Sequence, residues 1–585
     1  MGFVQPELPV VDQQQWDNSG RSERIRLMAR HWAEVGFGTP VVLHLFYVVK
    51  ICLYILGGWL FALSTSGIDG FTAVGSWWSE PIVFEKAVLY TMLFEVIGLG
   101  CGFGPLNNRY FPPMGSILYW LRPGTIRLPP WPRVVPLTRG TARTPVDAAL
   151  YALLLVVLLW ALLSDGTGPI PALDTTVGLL PAWQVGLVVA VLAVLGLRDK
   201  VIFLAARGEV YGSLAVAFLF GGADAILAAK LVFVVIWMGA ATSKLNRHFP
   251  FVVSTMMSNS PIVRPRWLKR RFFANFPEDL RPGRLSRWIA HSGTAVEMCA
   301  PIVLFFSHGG LPTAVAAVIL LCFHLAILTA IPMGVPLEWN VFMIFGLGVL
   351  FVAHADIGFA DAAHPWLPVL LFAVLVAIVI TGNLLPSRIS FLPGMRYYAG
   401  NWDTTVWCIK PSAAQKIDRN IVAIASMPQA QMERYYGKDR AQIPLYLGYA
   451  FRAMNTHGRA LFTLVHRAMP AGCEDEYTIT DGERICSTAI GWNFGDGHMH
   501  NEQLIAALQQ RCHFEPGEVR VVLLDAQPIH TQVQAYRLVD AATGEFERGT
   551  VRVADMVESQ PWADNLPVHV TSTAGPSVTD PARPA

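Results

Sequence analysis

The chain has 585 residues, 53% of them hydrophobic and 15% charged, with a mean hydropathy of +0.42. Charged residues make up about a quarter of ordinary soluble proteins, so this composition excludes one, and long uninterrupted apolar runs put a membrane first among its surroundings. With 44 Lys plus Arg against 42 Asp plus Glu, the near-neutral balance gives no support to a nucleic-acid partner.

The first 39 residues are polar and carry four Arg. They lack a short apolar core followed by a small-residue cleavage site, so no cleavable signal peptide is expected. Ile25, Met28, Trp32 and Val35 recur there at helical spacing, with Arg26 and Arg30 off the stripe. This predicts an amphipathic helix lying on the membrane surface.

A helix needs about 20 apolar residues to cross about 30 Å of hydrocarbon. Eight segments fit that template: 40–63, 82–101, 147–164, 182–197, 289–306, 312–330, 338–354 and 367–385. A ninth, 212–239, is interrupted by Gly221, Gly222 and Asp224 and reads as one tilted crossing or a helical hairpin. Segments 64–81, 165–181, 307–311 and 355–366 contain no Lys or Arg, whereas 102–146 has six and 240–288 has ten. Basic loops stay in the cytoplasm, which favours the hairpin and a protein of the inner (plasma) membrane with both its N-terminus and its C-terminal domain cytoplasmic.

The loop 102–146 contains Pro112, Pro113, Trp120, Pro129, Pro130, Trp131 and Pro132 and no acidic residue, and reads as a covering lid on that face. In 262–290, Trp267, Phe272, Phe273 and Phe276 alternate with Arg264, Arg266, Lys269, Arg270 and Arg271, a mixture suited to anionic headgroups of the bilayer. From about 395 the composition turns polar. Residues 386–585 hold 18 cations and 21 anions, with helical patterns at 413–435, 441–468 and 501–512 and strand patterns at 519–524, 533–539 and 549–553. The expected fold is an all-α polytopic membrane domain of 8 to 10 transmembrane helices (40–394), preceded by a cytoplasmic segment (1–39). A soluble α+β domain (395–565) follows it, and then a disordered Pro-, Ser- and Thr-rich tail (566–585).

The eight Cys include no CxxC spacing, so a zinc ribbon or dithiol redox motif is not expected. Ionisable groups inside the membrane are more informative. A charge at the bilayer centre costs about 2.5–3.5 kcal/mol on insertion scales and must be compensated. His44, Lys50, Glu95, Asp224, Lys230, His291, Glu297 and His324 are such groups. Glu95, Asp224, Lys230 and His324 are candidates for a substrate or ion path, with Asp224 and Lys230 able to neutralise each other or the carboxylates Glu95 and Glu297. His291 and Glu297 are candidates for catalysis.

The segment Trp237-Met238-Gly239-Ala240-Ala241-Thr242-Ser243-Lys244-Leu245-Asn246 closes an apolar helix with a lysine. It resembles the Lys-Leu-Asn or Lys-Leu-Asp motif of the vitamin K-dependent gamma-carboxylase-like, horizontally transferred transmembrane (HTTM) family. That resemblance implies a catalytic base at Lys244, which deprotonates a hydroquinone in the carboxylase. A lysine acts so when desolvation or a neighbouring cation lowers its pKa. The family keeps its catalytic side and C-terminal domain outside the cytosol, whereas the charge counts here put both inside.

Over its whole length the chain resembles an uncharacterised family of actinobacterial multi-pass transmembrane proteins. The stretches that carry this are Arg30 to Pro40, Pro336-Leu337-Glu338-Trp339-Asn340-Val341-Phe342 and Met395 to Trp402. The resemblance implies size and membrane location and supplies no activity.

In the soluble part, Asp496-Gly497-His498-Met499-His500-Asn501-Glu502 places two His two apart before a helix. On an extended segment they would share a face and could bind a metal, with Asp496 or Glu502 adding a carboxylate; Asn501 also suits a helix N-cap. No Walker A, GxSxG or HExxH pattern occurs, and no cofactor is specified. Three readings stand open. One is an enzyme acting on a lipid-soluble small molecule such as a quinol, isoprenoid or lipid. The others are a transporter or lipid-handling protein, and a membrane scaffold whose tail recruits partners.

Overall fold

A computed structural model describes residues 2–101, 115–329, 337–492, 494 and 497–573. Among the described residues six helices are long and apolar enough to cross a membrane: Val41–Leu63, Pro145–Leu163, Gly222–Ser243, Arg284–Ser307, Gly310–Leu328 and Trp366–Leu384. Three expected spans are shorter. The one expected at 82–101 is Pro81–Val96, that at 182–197 is Ala182–Arg198, and that at 338–354 is Leu337–Gly346 continued by a π-helical turn, Leu347–Ala353.

Local chemistry sets several of these limits. Thr144 and Asp147 form a capping box at the start of helix 145–163, with Pro145 at its first position. In the interrupted region the chain turns at Gly221 and Gly222, both with positive φ. The turn separates Ser213–Phe218 from helix 222–243, and the two pack together. Helix 222–243 is the hub of the bundle. Its small residues Ala225, Ala228, Ala229 and Ala241 are fully buried, allowing close approach of helices 284–307 and 366–384.

The C-terminal part is an antiparallel six-stranded sheet covered by helices. Its strand order in space is Thr478–Asp481, Thr404–Ile409, Val519–Leu524, Val533–Asp540, Gly544–Arg552, Val568–Thr573. The expected helix 441–468 is two helices, Gln442–Met454 and Thr456–Ala468. The stretch from 566, expected to be disordered, contributes the edge strand Val568–Thr573.

Helix Arg21–Val35 corrects the expectation of a surface-lying anchor. Ile25, Met28 and Trp32 are buried by protein, among them Phe272, Phe273, Ile443, Leu447 and Met454, and the Trp32 indole donates to Thr255 O at 3.0 Å. An amphipathic stripe records a face to be covered and does not say by what. In 262–290, likewise, Phe272 and Phe273 are buried, while Trp267 and Trp288 are exposed.

The expected lid is described from residue 115; Pro112 and Pro113 lie outside the described residues. Tyr119 donates to Ala489 O, Trp120 Nε1 to Ile490 O at 3.1 Å, and Gln503 Nε2 to Pro129 O at 2.8 Å. The N-terminal helix, segments 115–143 and 244–283, and the C-terminal domain are thus tied to one another. The opposite connections are tied separately: Asp165 accepts from Ser66 N–H at 2.7 Å, and His354 Nε2 donates to Ser79 O at 2.9 Å.

Candidate functional site

Around the end of helix 222–243 lies a cavity of about 690 Å³, with a predominantly apolar lining. Ile236, Trp237 and Ala240 form one wall, and Val252 and Met256 of helix Phe249–Asn259 another. Helices 284–307, 310–328 and 337–346 complete it, with Tyr397, Tyr398 and Phe494 from the C-terminal part.

Lys244 sits where helix 222–243 ends. Asn246, two residues on, accepts from the N–H groups of His248 (2.8 Å) and Phe249 (3.0 Å) and so starts the next helix. The Lys-Leu-Asn sequence therefore makes a corner that projects the lysine into the cavity wall. Its ammonium pairs with Glu297, the two side chains being 10% and 6% exposed, and lies over the rings of Phe249 (5.1 Å) and Phe323 (5.9 Å). Among the described residues Glu297 is its single hydrogen-bond acceptor, which leaves N–H groups for a ligand.

His324, also in the wall, is engaged on both nitrogens. Trp237 Nε1–H donates to Nε2 at 3.0 Å, and because indole only donates, Nε2 is the bare nitrogen. Nδ1–H then donates to Asn340 Oδ1 at 2.8 Å. The ring is a neutral, fixed wall element rather than a free acid or base.

The far end of the cavity carries Arg207 and Cys101. Arg207 has a left-handed φ of 51°, breaking the helical run after Lys200–Ala205. Its guanidinium bonds Glu209 at 2.7 Å and Cys101 Sγ at 3.4 Å and faces the rings of Trp339, Tyr397 and Phe494 at 4.9–5.4 Å. Behind it, Glu95 accepts from Cys101 N–H at 2.7 Å, and Lys50 pairs with Glu338 at 3.0 Å. Ligand atoms of Glu95, Cys101 and Glu338 lie within 4.8 Å of one another, a spacing that could hold a metal ion. The Cys101 thiol nevertheless donates to Glu95 at 3.2 Å, and the Arg207 and Lys50 cations occupy the same neighbourhood, so the present arrangement is an ion network.

The candidate residues thus separate. Lys244, Glu297 and His324 meet in one cavity, and Glu95 stands behind its far end. His291 is exposed on helix 284–307 and does not join them. Asp224 and Lys230 do not neutralise each other: Asp224 accepts from His364 N–H (3.0 Å), and Lys230 donates to Ala355 O and Ile357 O (3.2 and 2.6 Å), pinning the loop after residue 353.

His498 and His500 lie in a turn rather than an extended segment, so the shared-face spacing does not apply. His498 contacts Asp403 at 3.3 Å, and its Nε2–H donates to Pro386 O. His500 is buried against Thr405 (2.7 Å), and burial pushes its imidazole down to about 4. Asp496 lies outside the described residues. Asn501 does cap the helix Glu502–Cys512. Arg207, Glu209 and Asn340 were missed as site residues; an arginine and a glutamate inside the apolar stretch 201–220 were the available signal for the first two.

The chain belongs to the family described as transmembrane protein of unknown function (DUF3556), whose model matches residues 1–571. This agrees with the whole-length resemblance to an uncharacterised transmembrane family. No curated protein and no solved structure matches the chain.

Proposed function

We propose that the protein is a membrane enzyme that takes a lipid-soluble substrate, of the quinol, isoprenoid or lipid class, into the 690 Å³ cavity and moves a proton on it through Lys244 and Glu297. The observation that carries this is an ammonium–carboxylate pair in the wall of an otherwise apolar chamber. Such a chamber accepts hydrocarbon at little cost, and the pair supplies one group that gives a proton and one that takes it. The resemblance of Trp237 to Asn246 to the gamma-carboxylase-like family points to the same lysine. A transport path has less support, since Asp224 and Lys230 are engaged in holding a loop.

The same reading has ten crossings. The six long helices, the shorter 81–96, 182–198 and 337–353, and the broken limb 200–218 supply them. An even number is supported by the mutual contacts of the N-terminal helix, 115–143, 244–283 and the C-terminal domain. The cations of 102–146 and 240–288 make that face cytoplasmic.

The test is Lys244→Ala in cellular complementation, with expression and folding checked on the purified protein. Loss of function in a folded variant is expected. A fully functional Lys244→Ala protein would sink the proposal and leave lipid handling without chemistry.

A further inference from the structure

Next to the apolar cavity lies a second chamber of different chemistry. It measures about 520 Å³, and Ser260 belongs to the walls of both. Ser260 Oγ bonds Thr329 Oγ1 at 3.4 Å, and Thr329 lines the apolar side. The second chamber is bounded by the start of helix 41–63, through Thr39, Val41 and His44, and by the basic stretch Arg264, Arg266 and Lys269, with Glu7 and Glu34 across from it.

The charges of this chamber are not balanced in place. Arg266 lies 3.5 Å from Glu7, and Glu34 is bound by Arg270 at 2.6 Å. Lys269 has neither a hydrogen bond nor an ion pair from its side chain among the described residues, although it is only 7% exposed. Arg264 likewise has none. A lysine buried to that degree is expected to have a partner. Burial pushes the Lys269 ammonium down to about 8, with the Glu7 carboxylate pulling it up and the Arg266 guanidinium adding to the fall. His44 Nδ1–H donates to Pro40 O at 3.1 Å, while its buried Nε2 has no hydrogen-bond partner. The backbone N–H groups of Val41 and Val42 are already bonded to Gly2 O and Phe3 O, so side chains are the available donors.

A hydrocarbon chamber abutting a chamber with unpaired cations fits one molecule with two ends. We infer that the ligand of the apolar cavity is an anionic amphiphile whose phosphate headgroup is held by Lys269 and Arg264, beside His44. The inference rests on the reading of the apolar cavity as a binding chamber. Phosphate suits these donors because its oxygens accept several charge-assisted hydrogen bonds at once.

The experiment uses the full-length protein in phosphatidylcholine nanodiscs. Binding of phosphatidic acid and of diacylglycerol with the same acyl chains is measured by native mass spectrometry, with inorganic phosphate as competitor. We expect phosphatidic acid to bind about tenfold more tightly than diacylglycerol, the equivalent of one charge-assisted hydrogen bond. The double substitution Lys269→Met with Arg264→Gln should bring the two ligands together while diacylglycerol binding stays at the wild-type level, which also reports an intact cavity. Equal binding of the two lipids to the wild type would overturn the headgroup inference and leave the apolar chamber standing. Inorganic phosphate that binds the basic chamber without competing with phosphatidic acid would overturn it too, assigning that chamber to a free anion. Binding of neither lipid would remove the chamber reading itself.

Discussion

Removing one member of the Lys244–Glu297 pair should cost more than removing the other. In Lys244→Met, Glu297 keeps its place, with a side chain 6% exposed, and loses its cation. A carboxylate stranded in this way destabilises by about 3–5 kcal/mol. In Glu297→Gln the ammonium keeps the faces of Phe249 and Phe323 at 5.1 and 5.9 Å, and the amide oxygen can still accept, so the loss should be about 1–3 kcal/mol. The double variant should then be less destabilised than the sum of the singles by about 1–2 kcal/mol, because no charge is left unpaired. The assay is unfolding of the purified protein by SDS titration from mild detergent micelles, followed by tryptophan fluorescence. Equal losses in the two single variants, with additivity within about 0.5 kcal/mol in the double, would refute the coupled pair.

Three further outcomes follow from the same geometry. His248 is held neutral between Thr456 and Gln527, and burial pushes both it and His500 down to about 4. Their unfolded-state values are near 6.5, so the folded form is favoured above that pH and each site loses about 3 kcal/mol as pH falls from about 6.5 toward 4; unfolding midpoints that stay flat over that window would contradict this. Trp32→Ala should cost about 3–5 kcal/mol and expose residues 21–35 to protease, whereas a helix resting on lipid would change vesicle binding and leave stability alone. Single cysteines at Glu23, Arg139 and Lys438, all exposed, should react with a membrane-impermeant maleimide from one side, and those at Asp69 and Asp361 from the other; any of the first three labelling with the second group would overturn ten crossings.

Hydropathy located all six helices that are long and apolar enough to cross a membrane, because crossing imposes a length and a polarity that a window of sequence can measure. It misjudged limits where helices are short, as in 81–96, expected to run to 101, and it gave no sign of the π-helical end of 337–353. There buried Glu85, Lys86 and Glu95 are compensated by tertiary partners invisible to a window. Strand Thr404–Ile409 escaped for a different reason: it is central and buried on both faces, so it lacks alternation. Of the intramembrane charges, sequence could say that each needs a partner and not which one. Asp224 and Lys230 sit six residues apart on one helix, yet both reach for the loop beyond residue 353. Lys244 finds Glu297 across the bundle, 53 positions away.

A scaffold with a separable tail asks the C-terminal domain to be independent of the helices, and its contacts argue against that. Tyr397, Tyr398 and Phe494 complete the apolar cavity, and the Phe494 ring lies 5.4 Å from the Arg207 guanidinium at its far end. His248, four residues after Lys244, is fixed by hydrogen bonds of 2.9 and 2.7 Å to Thr456 and Gln527. Asn246, which turns the chain after Lys244, also donates to Ala399 O at 3.2 Å. The corner that presents the lysine is therefore braced from the C-terminal side, as is one wall of the chamber it faces. A domain that merely recruited partners would have no need to hold either, so its position fits the chemistry proposed for the cavity better than attachment alone.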